Sequence, residues 1–253
     1  MENGRLKILT YNIHKGFSTT NARFVLHQIK QSLEEIHPDI IFLQEIIGSH
    51  SVHENRIENW PKQPQFEFLA DQLWPHFAYG KNAIYEKGHH GNAILSKFPF
   101  ISWENIDVSW HEKASRSVLH GVLHLPGSHL PLHTICIHFG LFTKERKKQL
   151  QTLCERIESH VPHGEPLIIA GDFNDWQGRA EDFLETYLNL QEAFKVLTGK
   201  HAKTFPVWRP TLEVDRVYFR NLQLSLGERF IKPQWRRLSD HAPLYAEFTI
   251  NGF

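Results

Sequence analysis

Four apolar runs in this sequence end the same way, on carboxylate or amide side chains. Ile8-Leu9-Thr10-Tyr11 runs into Asn12, and Ile40-Ile41-Phe42-Leu43-Gln44 into Glu45. Leu167-Ile168-Ile169-Ala170-Gly171 runs into Asp172, with Asn174 two residues on. Leu238-Ser239 leads to Asp240-His241 before the last apolar stretch. Short, continuous apolar runs of this kind suit strands covered on both faces. A charge at the end of a buried strand must be solvated, paired or bound to metal, because burying it alone is costly. Four such ends brought together make one oxygen-rich pocket at the edge of the sheets.

The rest of the chain supplies the layers that cover those strands. Phe24, Val25, Ile29, Leu33 and Ile36 recur at helical spacing over residues 22–36, and Pro38 follows where a helix commonly stops. Strands are predicted over residues 6–13, 39–47, 91–95, 117–125, 130–139, 166–170, 214–219 and 241–250, and further helices over 143–157 and 181–188. Strands and helices mix without strict alternation, which argues for a layered α/β sandwich over a doubly wound parallel sheet. No Gly/Ser/Pro-rich linker divides the 253 residues, so a single domain over 1–253 is expected.

Charge and cysteine content narrow the classes of function. Lys plus Arg and Asp plus Glu both number 28, so the basic excess common in proteins that grip nucleic acid is missing. A bound metal ion would add positive charge that this count omits. Cys136 lies in an apolar run and Cys154 in a predicted helix; two buried thiols are expected, not a disulfide framework. The N-terminal residues lack the long apolar segment of a secretory signal, and no stretch approaches the ~20 apolar residues that span a bilayer. A soluble, cytoplasmic protein with no obligate protein partner is the expectation.

Oxygen donors at the strand ends suit hard cations, with magnesium first and manganese or calcium as alternatives; zinc fits less well without Cys and His clusters. Any single Asp or Asn at a strand end is more often a turn former or cap. Gly171-Asp172-Phe173-Asn174 carries more weight, because glycine permits close backbone approach while two oxygen donors follow it. Ser239-Asp240-His241 carries more again, since it sets a carboxylate beside an imidazole suited to proton transfer.

With these residues in view, the chain resembles the endonuclease/exonuclease/phosphatase superfamily, the DNase I-like fold. The resemblance rests on an ordered set: Thr10-Tyr11-Asn12, Leu43-Gln44-Glu45, Gly91-Asn92-Ala93-Ile94-Leu95-Ser96, Ile137-His138, Gly171-Asp172-Phe173-Asn174, Val214-Asp215-Arg216-Val217 and Ser239-Asp240-His241. Glu58-Asn59-Trp60-Pro61 and Gly88-His89-His90-Gly91-Asn92 resemble a poorly characterised bacterial subgroup. The resemblance implies a four-layer α/β/β/α sandwich and metal-dependent hydrolysis of a phosphate ester. It implies Glu45 as main metal ligand, with Asn12 and Asp240 near the metal. Asp172 would position or deprotonate the attacking water, helped by Asn174. Asp215 would orient His241, which would contact the phosphoryl oxygens, and His138 would lie near the phosphate or leaving group.

For the substrate, a nucleic acid or nucleotide diester ranks first and a phospholipid headgroup, as in sphingomyelinase-like members, second. Inositol phosphates rank third, because that branch tends to carry Asn-Tyr-Arg after the Gly-Asp pair where this chain has Phe173-Asn174-Asp175-Trp176. A catalytically silent binding protein on the same fold is the non-enzyme alternative. Arg116 opens a predicted strand and its guanidinium suits phosphate oxygens. Asn92 is expected at the pocket rim. Trp176, just past the Asp172–Asn174 segment, could meet a base, a lipid or nothing. The His89-His90 pair reads first as surface or core histidine in a chain with 18 of them. The run Lys144 to Lys148 reads as a solvated helix face.

Overall fold

Burial alternates along the strands in a way that sorts the chain into layers. The computed structural model describes residues 4–110 and 115–249, the side chains of 179–182 excepted. The elements are β1 (Arg5–Asn12), α1 (Leu26–Ile36), β2 (Ile40–His50), α2 (Ser51–Arg56), α3 (Gln65–Ala70), β3 (His76–Tyr85), β4 (Gly88–Ser96), β5 (Phe100–Asp107) and β6 (Ser117–Leu123). They continue as β7 (Leu132–His138), α4 (Thr143–His160), β8 (Leu167–Asp172), α5 (Arg179–Leu188), β9 (Gln191–Glu192), α6 (Ala193–Thr198), β10 (Asp215–Arg220), β11 (Gln223–Arg229) and β12 (Leu244–Thr249).

Among the described residues the strands form two six-stranded mixed sheets, ordered β11-β12-β1-β2-β4-β3 and β5-β6-β7-β8-β10-β9. Leu6, Ile8, Ile40, Phe42, Leu119, Cys136, Ile168, Val217 and Phe248 meet between the sheets in one core. The alternate residues Leu9, Tyr11, Ile41 and Leu43 face the other way, onto Ile29 and Leu33 of α1 and Leu69 of α3. Ile135, Ile137 and Ile169 face Leu150, Leu153 and Ile157 of α4 and Leu184 of α5. Each central strand is therefore apolar on both faces, which is why it reads as an unbroken run, and the layers are helix, sheet, sheet, helix. β1 and β12 pair antiparallel, so both ends of the described chain sit inside one sheet.

Several elements depart from expectation. β3, β5, β9 and β11 were not predicted, nor were α2, α3 and α6. β5 and β11 lie at sheet edges and are largely exposed, so they lack an apolar run, and the three helices span six residues each, too few to show a period. The first helix starts at Leu26, the 130–139 strand at Leu132 and the last strand at Leu244; residue 250 lies outside the described residues. Cys136 is buried, Cys154 is only half-buried, and both are free thiols.

Candidate active site

The site forms where the ends of the two sheets meet. Parallel pairing of β7 with β8 sets His138 beside Asp172, and antiparallel pairing of β8 with β10 sets Asp215 on Asp172's other side. Three consecutive strands thus present these side chains in one row. The facing sheet supplies Asn12 at the end of β1 and Glu45 on β2. A β-bulge aims Glu45: Leu43 and Ile46 both face the helix-side core, so one extra residue stands between them, and Glu45 takes φ +56° there. Gln44 turns inward instead, its amide donating to Thr10 Oγ1 and the Phe42 carbonyl, so it belongs to the core.

Hydrogen bonds tie the sheets together across the site. Asn12 Nδ2 donates to Asp172 Oδ2 at 3.2 Å, and the Asn174 backbone N–H donates to Asp172 Oδ1 at 2.9 Å. His241 Nδ1 lies 2.8 Å from Asp215 Oδ2. Ser239 Oγ donates to the Asn12 carbonyl at 2.7 Å and accepts from the His241 N–H. Asn174 sends its Nδ2 to the Phe139 carbonyl at 2.9 Å, which leaves its amide oxygen to meet a solvent molecule. His138 Nε2 and His241 Nε2 stand 3.5 and 3.9 Å from Asp172 Oδ2.

The electrostatics follow from burial and these neighbours. Burial opposes a charge on His241, but the Asp215 carboxylate, with Asp172 behind it, outweighs that and pushes the imidazole up to about 10. His241 is therefore cationic at neutral pH, and its Nδ1–H donates to Asp215. Burial raises the Asp172 carboxyl to about 7, with His241 pulling it down and Asp215 pushing it up. Burial, then Arg116, drives His138 well below the usual histidine range, so its ring is neutral. Burial also works against charge on Glu45, yet the basic groups around it, His138, Lys15, His14 and His90, hold its carboxyl below the usual carboxylate range. With His138 neutral, the standing cation beside Glu45 is Lys15, whose Nζ is 3.6 Å from Oε2.

A cleft of about 240 Å³ brings together Asn12, Glu45, Arg116, His138, Asp172, Asn174 and His241. Asp215 sits behind His241, out of solvent. Asp240 stands to one side, its Oδ1 3.6 Å from His14 Nδ1, and does not line the cleft. Asn92 is not at the rim: it is fully buried, with Nδ2 donating to the Ser117 carbonyl. Arg116 is held by its own Nε–H to the Phe139 carbonyl. Trp176 lines the cleft and is half exposed, stacked on the Arg146 guanidinium. His89 and His90 lie outside the lining, although His90 is close enough to Glu45 to influence its charge.

Residues 9–241 match the endonuclease/exonuclease/phosphatase family. The chain belongs to that family. Its members are hydrolases acting on phosphate esters, and Asp172, Asp215 and His241 form a group whose ligand atoms, all within 4.8 Å of one another, could hold an ion. The uncharacterised protein YbhP of Escherichia coli K12 is 44% identical over 244 residues, covering 96% of each chain. An endonuclease/exonuclease/phosphatase from Beutenbergia cavernae superposes with a TM-score of 0.76 at 17% identity, covering 98% of this chain and 72% of that one. Danio rerio TDP2 complexed with a single-strand DNA product superposes with a TM-score of 0.72 at 19% identity, covering 97% and 99%. At such identities the two structures show a shared fold. Among the described residues no helix is long and apolar enough to cross a membrane.

Sequence reasoning missed the apolar wall of the cleft, Leu141, Phe205, Leu212 and Val214, and the basic flank of Glu45 formed by His14 and Lys15. The flank had a signal: His14-Lys15-Gly16 directly follows the strand-end Asn12. The wall had none, because Leu141 comes from the β7–α4 loop and the other three are spaced without a period along the loop between α6 and β10.

Proposed function

We propose that the chain is a divalent-metal-dependent phosphodiesterase working in this cleft. One observation supports this most: Glu45, anionic and half-buried, keeps its Oε2 out of solvent and without a hydrogen-bond donor among the described residues, Lys15 Nζ standing 3.6 Å away, in the same cleft as Asp172 and His241. A buried carboxylate oxygen of that kind fits a hard cation, magnesium first and manganese or calcium next. Glu45 and Asn12 would hold it, with Asp240 within reach of the same flank. Asp215 and His241 are engaged with each other and suit it less. When bound, the ion supplies charge neutralisation at the phosphate and at the leaving oxygen.

The remaining work belongs to the chain's own side chains. Asp172, with a carboxyl near neutrality, can accept a proton from the attacking water, which the Asn174 amide oxygen orients. His241, cationic and fixed by Asp215, donates through Nε2–H where negative charge develops on the phosphoryl oxygens. Neutral His138 supplies a donor without adding a competing cation. Arg116 at the cleft wall fits a non-bridging phosphate oxygen.

A nucleic acid or nucleotide diester draws support from the DNA product carried by the Danio rerio structure. The lipid phosphodiester reading draws on this chain itself, since Leu141 and Trp176 give the cleft mouth an exposed apolar side. Hydrolysis of a soluble chromogenic diester with magnesium or manganese tests the shared chemistry. Turnover should vanish with chelator and fall at least ~10³-fold in Asp172→Ala and His241→Ala. Metal-independent turnover, or full activity in either variant, refutes it.

A further inference from the structure

Beside the cleft mouth lies an apolar face that the catalytic reading does not use. Leu141 and Phe142 stand at the start of α4, 58% and 72% exposed, where buried placement would be the norm for such side chains. Trp176 continues the strip over Arg146. A groove of about 260 Å³ then leads from Arg146 and Thr143 to Phe183 on α5, and Phe183 stacks on Tyr187, 71% exposed, at 5.8 Å between ring centroids. Exposed aromatic and aliphatic side chains joined in this way mark an interaction surface. The same end of α4 carries Lys144, Lys147 and Lys148, all exposed. The charge run that read as a solvated helix face therefore borders the apolar strip and the cleft mouth together.

We propose that this face docks onto an anionic phospholipid surface, with Leu141 and Phe142 entering the headgroup boundary and the α4 lysines meeting lipid phosphates, while Tyr187, which shares its groove with Glu155 and Glu158, stays at the edge of the contact. Apolar side chains flanked by lysine, as at the start of α4, suit that boundary, and each lysine near an anionic leaflet adds attraction. A nucleic-acid strand fits less well: Leu141 offers no stacking face, and the cleft wall of Leu141, Phe205, Leu212 and Val214 is apolar. Leu141 and Trp176 belong to the cleft lining as well, so a docked molecule opens its catalytic cleft toward the headgroups. The substrate consequence, a diester presented by the lipid surface, rests on the phosphodiesterase reading; the docking itself does not.

Vesicle co-sedimentation in chelator, so that turnover plays no part, tests the docking. The full chain is mixed with phosphatidylcholine vesicles with and without a third of phosphatidylglycerol. The wild-type chain should bind the anionic vesicles and bind them more weakly as salt rises. Phe142→Ser removes apolar area without changing charge, and serine suits the N-cap position that Phe142 holds, so the helix start is preserved. It should weaken binding roughly tenfold. The triple variant Lys144→Gln, Lys147→Gln, Lys148→Gln should weaken it by at least ~30-fold. Both variants should hydrolyse the soluble diester at the wild-type rate, which separates failure of docking from failure of catalysis. Absence of binding to anionic vesicles, or binding unaffected by either variant, overturns the proposal. So does finding that Phe142→Ser abolishes self-association or single-strand DNA binding while vesicle binding persists.

Discussion

Asp215 never touches the cleft, yet the charge at its centre depends on it. Burial alone would keep His241 neutral, and the Asp215 carboxylate 2.8 Å from Nδ1 reverses that. Asp215→Asn keeps the shape and removes the charge, so His241 should be neutral at pH 7 and free to present the wrong tautomer. Turnover of the soluble diester is expected to fall ~10²–10⁴-fold, with KM changed little and the thermal midpoint near wild type. An unchanged kcat would mean that the pair is structural. Residues of this kind were legible in the sequence because a strand end forces its polar side chain into a junction: Asn12, Glu45, Asp172 and Asp215 all lie at such ends or at a bulge in one. Asn92 was misplaced for the complementary reason. It lies inside β4, between Gly91 and the apolar Ala93-Ile94-Leu95, and only the partner sheet reveals that its amide is committed to Ser117.

Among the elements, β8 does most to hold the row of catalytic side chains. Gly171 takes φ +147°, and a Cβ there would stand 2.1 Å from the Ile137 carbonyl oxygen of β7. Glycine at this point lets β7 and β8 approach closely enough for His138 to sit beside Asp172. Gly171→Ala should therefore cost about 3 kcal/mol in denaturant unfolding and disable the diester reaction, through overpacking and backbone strain together. The loop that follows is pinned from below: Arg216, buried on β10, lies 3.6 Å from the Asp175 carboxylate and also donates to the Asp175 carbonyl. Arg216→Met would take away the counter-charge that β10 supplies to the buried Asp175 carboxylate, and a loss of ~3 kcal/mol is expected from the same unfolding measurement. Strands of the centre were readable because both of their faces are buried. The edge strands β5 and β11 were not, since solvent on their faces lets polar residues interrupt the pattern. Short helices α3 and α6 are held by tertiary packing, so their sequence carries too little period to announce them.

At the scale of the whole molecule, the outer helix layer is fastened to its sheet by a chain of neutral histidines. Arg156 of α4 donates its Nε–H to His120 Nδ1 on β6 at 3.1 Å. Because an arginine can only donate, His120 must carry its proton on Nε2, which then donates to His133 Nδ1 on β7 at 2.9 Å. His133 in turn donates Nε2–H to Glu165 at 2.6 Å, just ahead of β8. The bond from Arg156 requires an unprotonated Nδ1 on His120, and with Nε2 already carrying a proton the ring must be neutral. Burial, with His133 and Arg156 next, holds its pKa down at about 3, against an ordinary value of 6.5. The sign follows directly: between those two values the unfolded chain takes up a proton that the folded chain refuses. The contribution is therefore whole above pH 6.5 and is lost as pH falls toward 3. Going from neutral pH to 5 should remove about 2 kcal/mol through this histidine alone. Burial also lowers the pKa of His133, although Glu165 works against it, so His133 adds in the same direction. His120→Gln has no titrating ring, so it should be less stable than wild type at pH 7.5 and show a smaller gap at pH 5. Urea midpoints at the two pH values measure that gap, and a gap that stays constant or widens on acidification would show that the histidine line does not set the acid limit of the fold.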